Sequence, residues 1–121
     1  MKDSKNIKIA ISSLPEGGWW DKGIVAYQDN DMMSNGAVPN QSLLQQEHKG
    51  LIEILNKHSL PIEIIPFKKD LEIIKKYDFV FMRDHFLCNV DKDIVMCNMK
   101  LSERMNEGEF VISSLKDLQY N

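Results

Sequence analysis

Within seven residues the chain sets Asp78, Arg83 and Asp84, followed directly by His85; Arg104 and Glu107 come some twenty positions later. Asp78 and Asp84 are separated by an even number of residues. A regular strand therefore places both carboxylates on one face. Two carboxylates on one face can hold a planar cation through paired hydrogen bonds, as a guanidinium is held. Arg104 at the opening of a helix can hold a carboxylate. Acidic groups for one end of a ligand and a basic group for the other suit an arginine-like zwitterion. A plainer reading stands beside this one. Arg83 and Asp84 can form a surface ion pair of little energetic weight, and Arg104 and Glu107, three apart, an exposed helical pair.

Breaking a guanidinium C–N bond requires a nucleophile, usually a thiolate, and an acid/base such as histidine. His85 is the histidine near the acidic stretch, and Cys88 lies three residues on. Odd spacing on a strand points the two side chains to opposite faces, so a Cys88/His85 dyad conflicts with the strand. No catalytic residue is assigned. Cys88 and Cys97 have neither a CxxC nor a Cys/His spacing, so a zinc site has no support and no metal is expected. Both read as small buried hydrophobes. Nothing calls for a cofactor.

Several elements must position these groups. Residues 7–11 alternate and predict a first strand. Residues 15–39 read as a long loop that carries Trp19, Trp20, Tyr27, Met32 and Met33. A lid, an interface with another chain and a packed Ω-loop all suit it. A helix opens near residue 41, capped by Asn40 or by a Ser42/Gln45 box, with His48 at the edge of its apolar face. Residues 62–65 predict a strand, and Asp70 caps a short helix. Residues 78–84 alternate through Phe79 and Phe81 as the central strand. Residues 86–90 and 94–99 predict two more strands, and Ser102 caps a final helix. Strands interleaved with helices argue for an α/β fold with at least one right-handed crossover.

Composition narrows the function classes. The 121 residues suit one domain, residues 1–121. The net charge is −3 and the basic residues are scattered, which excludes the basic stripe of a nucleic-acid binder. No apolar run approaches the ~20 residues of a membrane span, and the first residues lack a signal-type core. A cytoplasmic protein is expected.

Three segments carry a family resemblance. Residues 38–48 open with Val38, Pro39 and Asn40 and close with Gln46, Glu47 and His48, and they resemble a family's first long helix. Residues 78–84, from Asp78 through Phe79, Val80, Phe81, Met82 and Arg83 to Asp84, resemble its F-x-R-D or F-x-E-D strand, and Arg104 to Glu107 its R-x-x-E helix start. In this order and spacing the chain resembles the N-terminal portion of the guanidino-group-modifying (pentein) superfamily. Its members are arginine deiminases, dimethylarginine dimethylaminohydrolases and amidinotransferases. The resemblance implies a partial α/β-propeller comprising a first module and part of a second. It implies that Asp84 binds the substrate guanidinium with Asp78 beside it, and that Arg104 binds the substrate carboxylate. Arg83 follows the deiminase-like version of the motif, and the 15–39 loop would lie near the active-site mouth. The family's catalytic acid, histidine and cysteine lie further along than this sequence reaches. The resemblance therefore implies a substrate-binding portion, inactive alone, for hydrolysis or transfer at an arginine-like guanidinium. A second chain completing the propeller, or a homo-oligomer, would cover its open sheet edge. The alternative is a non-catalytic module or subunit that holds an arginine-like ligand.

Overall fold

A computed structural model describes residues 8–16, 31, 37–89, 91 and 93–119. Most of the aromatic loop lies outside them, and with it the lid, interface and Ω-loop readings.

Strand β1 (Ile9–Ser12) pairs in parallel with β2 (Ile62–Ile65), Ile9 opposite Ile62 and Ser12 opposite Ile65. A parallel pair requires a long connection. Helix α1 (Gln41–Lys57) lies within it. Asn40 caps this helix, its Oδ1 accepting the Leu43 N–H at 3.0 Å, so the Ser42/Gln45 box is not the cap. His48 Nε2 lies 2.8 Å from the Ser12 carbonyl and ties α1 to the end of β1. The short helix α2 (Lys69–Ile73) begins without a side-chain cap, and Asp70 sits inside its first turn. Strands β3 (Phe86–Cys88) and β4 (Ile94–Met96) form a separate antiparallel hairpin. Asn89 orders its turn, with Oδ1 accepting the N–H groups of Asp91 and Asp93. Helix α3 (Glu107–Asp117) closes the described chain. Among the described residues, no helix is long and apolar enough to cross a membrane.

The expected central strand is absent. Residues 77–84 form two successive 3₁₀ turns, Tyr77–Val80 and Met82–Asp84. The N–H groups of Phe79, Phe81 and Asp84 donate to carbonyls three residues back, those of Lys76, Asp78 and Phe81. The 3₁₀ geometry has three residues per turn and stacks positions i and i+3. Phe79, Met82 and His85 accordingly form one buried row, while Phe81 is 47% exposed. The alternation of Phe79 and Phe81 suggests a strand, but from Phe79 onward burial follows a period of three. Ser102 likewise begins a 3₁₀ turn (Ser102–Arg104) rather than capping a helix, and α3 follows Asn106.

The core gathers Ile65, Phe67, Leu71, Tyr77, Phe79 and Met82 with Val111 and Leu115 of α3. Phe67 stacks on Tyr77 with centroids 6.3 Å apart and meets Phe79 edge-on at 5.8 Å, geometries favoured by ring quadrupoles. Cys88 and Cys97, expected to be buried, are both exposed, because the hairpin strands are short and each thiol falls at a strand end or beyond it.

The 3₁₀ row separates two phenylalanines that a strand would place on one face. Phe79→Ala is expected to lower unfolding stability in urea by about 3–5 kcal/mol. Phe81→Ala is expected to cost less than about 1 kcal/mol.

Candidate functional site

The three 3₁₀ turns and the first residue of α3 bring the charged residues together. Asp78 lies in the first turn, Asp84 ends the second, and Arg104 ends the third. Asn106 then adopts a left-handed conformation, φ 70°, which asparagine tolerates better than most residues. The chain turns there and begins α3 with Glu107 fully buried.

Arg104 sits at the centre. Its Nη1 donates to Asp84 Oδ2 at 2.8 Å, and its Nη2 donates to the Asp78 main-chain carbonyl at 3.0 Å. Nε and Nη2 both donate to Glu107 Oε2, at 3.2 and 3.1 Å. The same Glu107 oxygen lies 2.9 Å from Nε2 of His85, which is itself fully buried. A continuous chain of charged and polar groups thus runs from His85 through Glu107 and Arg104 to Asp84. Burial alone would lower the Arg104 pKa. The hydrogen bond and charge supplied by Asp84 and Glu107, with the charge of Asp78, outweigh it and raise the pKa above its ordinary value.

The sequence suggested Asp78 and Asp84 for one end of a ligand and Arg104 for the other; in the structure the three are neighbours joined to one another. Asp78 contributes its carbonyl to Arg104, while its carboxylate Oδ1 is buried without a partner. Burial raises the Asp78 pKa above 3.8; Arg104 opposes this, and the charges of Glu107 and Asp84 add to it. The Arg104–Glu107 pair, read as exposed, is buried: the Arg104 side chain is 11% exposed and that of Glu107 not at all. Sequence reasoning also missed His85 as the partner of Glu107. The signal was present in the spacing of Phe79, Met82 and His85. Arg83 lies outside the network, its side chain 93% exposed and its Nε 3.6 Å from Asp84 Oδ1.

Cys88 is exposed and donates to the Asn89 carbonyl, whereas His85 is enclosed and bonded to Glu107, so the two form no dyad. Among the described residues, no group of three or more His, Cys, Asp or Glu side chains is placed to hold a metal. An open groove of about 440 Å³ lies between the end of β4 and the start of α3, lined by Met96, Met99, Met105 and Ile112 among others. Asp78, Asp84 and Arg104 are not part of its lining. No family model, curated protein or solved structure matches the chain.

A buried charge that loses its partner is strongly destabilising. Arg104→Met is expected to cost about 3–5 kcal/mol in urea unfolding, because it leaves Glu107 uncompensated. Adding Glu107→Gln is expected to recover part of that loss, giving a double variant less damaged than the sum of the two single variants.

Proposed function

We propose that this chain is the N-terminal, substrate-binding portion of a cytoplasmic enzyme that hydrolyses or transfers the guanidinium group of arginine or an arginine derivative. The observation that carries the reading is the seating of a guanidinium, that of Arg104, among Asp84, Glu107 and the Asp78 carbonyl. Asp84, Glu107 and Asp78 lie around the Arg104 guanidinium, and Arg83 approaches Asp84 as a second cation. Asp84 Oδ1, on a side chain 35% exposed, has Arg83 Nε at 3.6 Å, while Asp78 Oδ1 and Glu107 Oε1 are buried without a partner. An exchangeable, half-exposed carboxylate oxygen such as Asp84 Oδ1 can accept from a planar, multi-donor cation. The F-x-R-D and R-x-x-E segments, which carry the pentein resemblance, contain Asp84, Arg104 and Glu107.

In the complete enzyme, a cysteine would attack the guanidinium carbon and a histidine would protonate the leaving amine, through a covalent amidino-thioether. Cys88 and His85 do not suit those roles, the one exposed and the other enclosed. The same observation favours a second reading, a non-catalytic module that holds an arginine-like ligand or completes a split enzyme.

The chain alone is expected to show no turnover of arginine, methylarginines or agmatine. Turnover abolished by Cys88→Ser would contradict this. L-arginine is expected to raise the melting temperature, by an amount equivalent to about 2.7 kcal/mol at a hundredfold excess over Kd. Asp84→Asn should remove the shift, and the absence of any shift in the wild type would overturn the proposal.

The raised Asp78 pKa fixes the sign of the pH dependence. The folded state binds this proton more tightly than the unfolded state. Its contribution to stability is therefore complete below about 3.8 and is lost as pH rises through the higher native value. A cationic ligand favours ionised Asp78, so arginine affinity should rise with pH across that window. Asp78→Asn should flatten both profiles; unchanged profiles in that variant would contradict the assignment to Asp78.

A further inference from the structure

We propose that Arg83, rather than Arg104, reads the carboxylate of the ligand, an inference that rests on the guanidinium-binding reading above. A carboxylate held by arginine takes two parallel N–H bonds from one edge of the guanidinium. Arg104 has five N–H donors. Four of them are engaged inside the protein, by Asp84, by the Asp78 carbonyl and twice by Glu107. One N–H of Nη1 remains, which cannot supply a bidentate edge. Turning Arg104 toward a ligand would strip Glu107, fully buried, of its guanidinium partner. Arg104 is thus a positioning residue: it fixes Asp84 and is itself fixed by Glu107, which His85 holds in turn.

Arg83 has the opposite character. It adjoins Asp84 in the chain and its side chain is 93% exposed. Its Nε lies 3.6 Å from Asp84 Oδ1, beyond hydrogen-bond distance. Such a surface pair is weak and exchangeable. The chain contains two arginines, Arg83 and Arg104, so Arg83 holds the other planar fork. An incoming guanidinium would take Asp84 Oδ1, the acceptor Arg83 now faces. Arg83 would then be free to swing on its flexible stem to the carboxylate at the ligand's far end. Charge is conserved in this exchange: one guanidinium replaces another at Asp84, and the released one meets the ligand's anion. Lys76, whose ammonium donates to the carbonyl of Glu103 next to Arg104, has no planar edge to offer.

The test compares L-arginine with agmatine, which keeps the guanidinium and lacks the carboxylate. Dissociation constants for both would be measured by calorimetric titration on the full wild-type chain, Arg83→Met and Lys76→Met. In Arg83→Met the preference for arginine over agmatine is expected to fall about tenfold or more, the loss of a charge-assisted pair. In Lys76→Met that preference should hold. A preference unchanged in Arg83→Met, with both ligands still binding, overturns the assignment and leaves the guanidinium reading intact. A fall seen in Lys76→Met instead also overturns it. If neither ligand binds the wild-type chain, the guanidinium reading fails and this assignment fails with it.

Discussion

The acidic end of this protein depends on one buried carboxylate, that of Glu107. An ionised group removed from water is tolerated only where partners replace its hydration. Glu107 Oε2 takes two N–H bonds from Arg104 and lies against His85 Nε2. Each partner enters from a different piece of backbone. Arg104 ends a 3₁₀ turn, Glu107 begins α3, and His85 follows the second 3₁₀ turn. One anion therefore sets the mutual placement of three segments that few hydrogen bonds of regular secondary structure join. Its other oxygen, Oε1, is buried without a partner, so the arrangement is not saturated.

The apolar core supports this network from below. Phe79 and His85 are in tilted contact, ring centroids 5.2 Å apart, and both are fully enclosed. The row of Phe79, Met82 and His85 runs from purely apolar packing to the polar network within seven residues. Because the backbone turns once every three residues there, Asp78, Arg83 and Asp84 are carried around it with different exposures. Arg83 reaches solvent while its neighbour Asp84 binds Arg104. A strand would have aimed Asp78 and Asp84 the same way; the 3₁₀ path gives one a buried carboxylate oxygen and the other a half-exposed side chain.

How much of this was legible follows from which signals were local. The alternation near residue 9 and in 62–65, the apolar stripe of α1 and the two short strands of the hairpin are patterns within single elements, and they correspond to elements of the structure. Residue type and spacing single out Asp78, Asp84 and Arg104, but not the direct bonds that join them. The path of 77–84 was misread because Phe79 and Phe81 fit a period of two, while the decisive period of three includes His85, a polar residue. A three-residue separation from Arg104 suits a surface pair equally well, because it says nothing about the depth of Glu107. Its burial is set by Asn106 turning the chain and by a histidine twenty-two residues earlier. That information is tertiary, and no local pattern contains it.

The most direct measurement of the account exploits the presence of just two arginines in the sequence. An NMR spectrum of the arginine Nε–H groups, recorded with and without L-arginine, reports on both. Arg104 should give a slowly exchanging, well-dispersed signal that persists when ligand is added, and Arg83 a signal averaged by solvent that becomes dispersed on ligand binding. An Arg104 signal averaged like that of a free side chain would contradict the buried network at the centre of the account.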